Sequence, residues 1–165
     1  MLTDYELPYS IQNFKKDAED FNVLSGQFNK TTKQDLVNQV KLITEEAGET
    51  KAAMEVNDIT ELLDGAIDVM YVTIGLLQKL DQLGVDVNGA MRKVAEDNLA
   101  KFPSSKLLAE STVEMYKAQG IETTMQYNDK FGRYVIKDTN DKVRKPAGFI
   151  STYLGAFVPR SLKGL

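Results

Sequence analysis

Apolar positions recur at three and four along most of the first 120 residues, the spacing of one face of an α-helix. A first helix is predicted over 8–22, where Ile11, Phe14, Ala18 and Phe21 share a stripe. A linker over 23–30 contains Gly26 and Asn29. Thr31 or Thr32 then offers an N-cap for a long second helix that reaches Met54 or Val56, with Leu36, Val40, Ile43, Ala47 and Met54 as its apolar stripe. Asn57 and Asp58 break that pattern, and either can cap a third helix that stops at Gly84. Leu62, Ala66, Val69, Thr73, Leu76 and Leu80 line its predicted core face. Asn88 is the predicted cap of a fourth helix ending near Phe102 and Pro103, and Ser104 or Ser105 starts a fifth that ends at Gly120.

Beyond Gly120 the period changes to two. Y-V-I-K (134–137) and K-V-R-K (142–145) flank D-T-N-D (138–141), which predicts a β-hairpin turning at 138–141, with residues 121–127 as a third strand. The fold class expected is all-α: an antiparallel helix bundle over 8–120 with a small β-hairpin and basic tail over 121–165, in a single domain. The third helix also carries Leu63, Ile67, Met70, Val72 and Leu77 off its main stripe. One chain offers little to cover them, which predicts at least a homodimer.

Composition narrows the chemistry. The chain has no cysteine and no histidine, so it has no thiol nucleophile, no imidazole base and no ordinary zinc site. Any catalysis must use carboxylates, Lys, Tyr or a metal held by oxygens, which favours hard cations such as Mg²⁺ or Mn²⁺. No apolar run approaches the roughly 20 residues of a membrane span. The opening MLTDYELPYS has neither the basic nor the apolar region of a signal peptide. A cytoplasmic protein is expected, with neither a membrane nor a nucleic-acid polymer as partner.

Charge is unevenly placed. The net charge of −4 combines an acidic middle with a tail, 142–165, that holds five basic residues and no acid. Eight carboxylates and one lysine lie between Glu45 and Asp68. Glu45, Glu46 and Glu49 share the second helix; Glu61, Asp64 and Asp68 fall within roughly 60° of one another on the third, at about 100° per residue. Tyr71 and Gly75 continue that band, which borders the apolar face. Like charges at this spacing destabilise a helix. A divalent cation between two antiparallel helices would offset the repulsion, and a spare carboxylate could orient water. The same spacing also fits a solvated acidic face.

L-I-T-E-E-A-G-E (42–49), then E-L-L-D (61–64) and D-V-M-Y-V-T-I-G (68–75), resembles the all-α NTP pyrophosphatases, which include MazG-like proteins, dimeric dUTPases and phosphoribosyl-ATP pyrophosphohydrolases. V-A-E-D-N-L-A-K (94–101) is similar to a downstream helix of that family, and Y-V-I-K with D-K-V-R-K-P-A-G-F (141–149) to the C-terminal segment of its bacterial and phage subgroup. The resemblance covers roughly residues 10–155. It implies cleavage of a (deoxy)nucleoside triphosphate between the α and β phosphates, Mg²⁺ (or Mn²⁺) as cofactor, and a homodimer or homotetramer with shared sites. It implies Glu46 and Glu49 as metal ligands, with Glu45 or Glu46 assisting the attacking water. Aligning by E-x-x-D selects Glu61 and Asp64. Aligning by D-x-x-Y selects Asp68, with Gly65 where a glutamate is expected. Asp64 and Asp68 share a face and are preferred, with Glu61 as an outer participant.

The substrate-binding candidates are Tyr71, Asn98, Lys101, Lys142, Arg144 and Lys145. Each has a plainer role available. Tyr71 suits a core aromatic, Lys101 the C-terminal end of a helix, and the last three the edge of a hairpin. The alternative from another class is a non-catalytic helical module whose acidic and basic faces pair between subunits.

Overall fold

The computed structural model describes residues 9–26 and 30–162. Five α-helices precede a two-stranded antiparallel sheet: α1 (Ile11–Leu24), α2 (Lys33–Glu55), α3 (Ile59–Gln82), α4 (Val87–Leu99), α5 (Lys106–Ala118), β1 (Thr123–Asn128) and β2 (Arg133–Asp138). Two 3₁₀ turns, Leu154–Phe157 and Arg160–Leu162, follow. The mostly helical class with a small hairpin is as the periodicity predicts. The chain divides into two compact units, one of residues 1–87 and 158–165, the other of residues 88–157. No helix among the described residues is long and apolar enough to cross a membrane. The predicted start of the first helix at Pro8 lies outside the described residues, as does the tail's Lys163.

Local chemistry sets the helix ends. Thr32 caps α2 in a capping box: its hydroxyl accepts from Asp35 N (3.2 Å), and the Asp35 carboxylate accepts from Thr32 N (2.8 Å). Asn57 takes the left-handed conformation (φ 56°), which Asn tolerates better than most residues. Asp58 then caps α3 by accepting from Thr60 N (3.0 Å) and Glu61 N (3.1 Å). Three residues thus separate α2 from α3, so the two lie antiparallel. Asn88 does not cap α4, because the helix already includes Val87.

The α2–α3 seam differs from the predicted stripes. On α2 the face turned to α3 is Gln39, Ile43, Glu46, Thr50 and Ala53, spaced four, three, four, three. On α3 it is Gly65, Asp68, Val72, Gly75 and Lys79, spaced three, four, three, four. Such spacing is that of a helix–helix seam. Cross-seam contacts set the register. A Cβ on Gly65 would meet Thr50 Oγ1 at 2.6 Å, and one on Gly75 would meet Gln39 Nε2 at 2.9 Å. Gln39 Nε2 donates to Val72 O (2.8 Å). Thr32 holds the Asp35 carboxyl below its usual range, and Lys79 contributes from across the seam. The two glycines let the helices approach with polar side chains between them.

Of the α2 stripe expected to be core, Ile43 lies in the seam, but Val40 and Met54 are left outside, 50% and 52% exposed; on α3, Leu63 and Ile67, off the predicted stripe, are 62% and 43% exposed. Covering both sides of the α2–α3 pair takes more helices than this unit has, and α1 packs on α3 alone. There Phe14 and Phe21 of α1 meet the Tyr71 ring edge-on, with centroids 5.6 and 5.9 Å away. Asn22 donates to Gln78 (3.0 Å), and Gln78 donates to Glu19 O (3.2 Å).

In the second unit, α5 packs on the sheet around Ile136, Ala109 and Thr112, which are fully buried. The hairpin pairs β1 with β2 in the register Thr123↔Asp138 to Asn128↔Arg133, so it turns at 129–132, with Gly132 at φ 62°. The predicted pairing of 134–137 with 142–145 reduces to one bridge, Lys137↔Val143. The D-T-N-D turn does form: the Asp138 carboxylate accepts from Asn140 N (2.9 Å) and Lys142 N (3.0 Å) and pairs with Arg144. The chain then leaves the sheet, because Lys145 O accepts from Tyr116 Oη (3.0 Å), Pro146 has no N–H, and Ala147 N donates to Thr112 Oγ1 (2.9 Å).

Candidate active site

The seam register puts Glu46 opposite Asp68, between the close approaches at Gly65 and Gly75. Both acids are half-buried, while Glu45, Glu49, Glu61 and Asp64 are exposed. Burial pushes the Glu46 carboxyl above its ordinary range; Asp68 adds most among the neighbouring charges, followed by Glu49, Glu45 and Asp64. None of these five carboxylates forms an ion pair among the described residues. Two half-buried acids facing each other with no cation partner act against folding, and such arrangements concentrate at functional sites. Glu61 is absent from the charges acting on Glu46; it lies in the first turn of α3, where its backbone N–H meets the Asp58 cap.

Oxygen donors of this kind suit Mg²⁺ or Mn²⁺. Among the described residues no three acids are gathered closely enough to hold such an ion. Like-charge repulsion at these spacings keeps the side chains apart, and rotamer changes of Glu46, Glu49, Asp64 and Asp68 are what convergence on one ion requires. The donor chemistry therefore fits a hard divalent cation, and the present rotamers do not form its coordination shell.

The basic candidates lie in the second unit and separate into two sets. Asn98, Lys101 and Lys145 line one cavity of about 190 Å³, together with Phe149, Ser151 and Thr152. Lys101 Nζ donates to Asn98 Oδ1 (2.7 Å), and Lys145 Nζ donates to Ser151 Oγ (3.1 Å). Lys142 and Arg144 are not in this set. Arg144 pairs with Asp138 and lies over the Tyr116 ring (5.4 Å), and the exposed Lys142 contributes its backbone to the same turn. Tyr71 is likewise engaged by Phe14 and Phe21, and burial first, then Asp17, pushes its hydroxyl pKa up.

Sequence reasoning missed Thr50, Gln39 and Gly65 as the elements that bring the acids together. Gly65 carried a signal: a glycine inside a helix, on the acidic band itself. Asp97 and Thr152 were missed too, because no local spacing connects residues 55 apart.

The family model of phosphoribosyl-ATP pyrophosphohydrolase, a member of the MazG-like NTP pyrophosphatase superfamily, matches residues 25–98. That segment contains all of α2 and α3, every acid of the seam, and Asn98. No curated protein and no solved structure matches the chain.

Proposed function

We propose that the chain is a divalent-cation-dependent nucleotide pyrophosphohydrolase. Water and a nucleoside triphosphate give the monophosphate, pyrophosphate and a proton. The observation that carries this reading is the Glu46–Asp68 pair in the seam, within a segment similar to a pyrophosphohydrolase family. Glu46, Glu49, Asp64 and Asp68 are the residues assigned to hold Mg²⁺ (or Mn²⁺), with Glu61 further out. The bound cation supplies charge neutralisation of the phosphates and polarisation at phosphorus. Glu45 or Glu46 orients the attacking water and accepts its proton.

Asn98, Lys101 and Lys145 are assigned to the polyphosphate, where lysine acts as a point charge. The exposed apolar side chains of α2 and α3 support assembly into a homodimer or homotetramer, to be read by sedimentation at micromolar protein.

The test is a panel of NTPs and dNTPs with Mg²⁺, separating monophosphate and pyrophosphate from diphosphate and phosphate. Monophosphate with stoichiometric pyrophosphate is expected, lost in Glu46→Gln, Glu49→Gln and Asp68→Asn. Release of free phosphate with pyrophosphatase excluded, or full activity in two of the three variants, contradicts the proposal. No turnover together with no carboxylate-dependent Mg²⁺ binding favours a non-catalytic module instead.

A further inference from the structure

One edge of the two-stranded sheet has no strand beside it. Tyr134 N donates to Pro103 O (2.8 Å), Asp138 N donates to Lys142 O (3.1 Å), and Ile136 O accepts from Arg144 N (2.8 Å). These three residues of β2 therefore turn their main-chain groups away from β1. Their register partners Tyr127, Thr123 and Met125 turn theirs away from β2, because opposed residues of an antiparallel pair either bond each other or both face outward. Among the described residues no main-chain partner meets the outward N–H and C=O groups of these three β1 residues. Folded proteins blunt such an edge with lysine, proline or a bulge. β1 reads Thr-Thr-Met-Gln-Tyr-Asn in an unbroken register, with none of these.

The two ends of this edge are complementary. At the start of β1 a cavity of about 310 Å³ has Val113, Lys117, Ile121 and Glu122 in its wall. At the other end the turn 129–132 carries Asp129, Lys130 and Phe131, all exposed, with Lys130 Nζ 5.3 Å from the centre of the Phe131 ring. Lys117, Glu122, Asp129 and Lys130 have no ion-pair partner among the described residues.

We propose that β1 pairs antiparallel with β1 of a second copy of the chain, in the register that sets Gln126 opposite Gln126. Outward-facing residues must oppose outward-facing residues, so the two-fold axis passes through a residue position. Centred on Gln126, the pairing sets Met125 against Tyr127 and Thr124 against Asn128. It also sets Glu122 against Lys130 of the second copy, Ile121 against its Phe131 and Thr123 against its Asp129, which approaches Lys117. Centring on Met125 sets Glu122 against Asn128, and centring on Tyr127 sets it against Gly132. Only the Gln126 register gives the acid a base and turns the exposed aromatic toward the cavity, where such a side chain anchors an interface. The two-fold axis makes each of these contacts twice. This surface is separate from the exposed apolar side chains of α2 and α3, and its use does not rest on the pyrophosphohydrolase reading.

The chain has no cysteine, so a single introduced one reports a single position. Full-length Gln126→Cys is oxidised at micromolar concentration and resolved on a non-reducing gel. Opposed Cα atoms of a non-bonded antiparallel pair lie about 4.5 Å apart, within disulfide reach, and a linked dimer is expected. In Thr124→Cys or Asn128→Cys alone the two copies of the cysteine lie four residues apart along the strands, about 13 Å, and stay unlinked. Mixed together, these two chains link. In the Gln126→Cys background, Glu122→Lys and Lys130→Glu each lower the yield of linked dimer about tenfold, since two ion pairs per dimer become repulsive. An equimolar mixture of the two charge variants regains it, because each copy supplies the charge the other lacks. Melting followed by circular dichroism checks that these exposed substitutions leave the chain folded.

Equal linking of all three single-cysteine chains marks collision without register and overturns the proposal. An unlinked Gln126→Cys chain overturns it as well, and leaves the edge to an extended segment of an unlike protein. A mixture of charge variants linked no better than its components also overturns it.

Discussion

The closest approach of α2 and α3 makes one glycine a sensitive test of the seam. In Gly65→Ala the new Cβ lies 2.6 Å from Thr50 Oγ1 and 3.2 Å from both Thr50 Cα and N. The hydroxyl is not free to swing away, because it donates to Glu46 O at 2.7 Å. The two backbone contacts are relieved only if the helices move apart. Overpacking of this kind costs about 1–3 kcal/mol. Replacing a mid-helix glycine by alanine returns about 0.5–1 kcal/mol. A net loss of about 1–2 kcal/mol is expected, which lowers the urea midpoint by about 0.5–1 M at an m-value of about 2 kcal/mol/M.

Gly48, exposed on α2, is the control, since a Cβ there meets nothing within 4 Å. Gly48→Ala should raise stability by about 0.5–1 kcal/mol. The same chemical change thus acts in opposite directions at two sites. Thr50→Ala in the Gly65→Ala background removes the nearest clash and should recover part of the loss. Gly65 is one helical turn from Asp68, so separating the helices there should also lower Mg²⁺-dependent turnover. The assay is urea unfolding followed by circular dichroism. A Gly65→Ala chain as stable as the parent would show that the seam is not packed as described.

Two further outcomes follow from the ionisable groups. The Glu46 carboxyl is raised in the folded chain, so its contribution to stability is complete below the ordinary glutamate pKa and is lost as pH rises through the raised value. Glu46→Gln should therefore unfold at equal or higher urea than the parent at neutral pH without added metal, with the gap closing on acidification; a less stable variant at pH 7 contradicts this. Asp138 has the opposite sign: the Lys142 backbone N–H, then that of Asn140 and the Arg144 charge, hold its carboxyl below the usual range. Its stabilisation is present above the ordinary aspartate pKa and is lost as pH falls through the depressed value. Asp138→Asn should lower the unfolding midpoint at pH 7 and less so in acid, and a pH-independent deficit would argue against an ionic role.

Much of the helical layout was legible in local sequence, because caps and breaks depend on neighbouring residues alone. Thr32 with Asp35, Asn57 with Asp58, Ser105 and Gly84 each punctuate a helix through hydrogen bonds or a left-handed φ within a few residues. The two acidic bands on consecutive helices were legible for the same reason, since 3.6-residue periodicity assigns a residue to a face. Periodicity does not say what covers that face. Only tertiary structure decided that Glu46 and Asp68 lie in the seam while Val40 and Met54 lie outside it. Two glycines permit close approach along the polar side, and Gln39 and Thr50 satisfy their polar atoms there. The hairpin was misassigned for a related reason. The expected turn at 138–141 and the observed one at 129–132 both contain turn residues, and the choice of strand pair was made by the third partner, α5, which draws the segment after Arg144 away through Tyr116 and Thr112. The cavity around Lys101 and Lys145 was likewise beyond sequence reach, because the Asp97 carboxylate that builds it meets a residue 55 positions away in the chain.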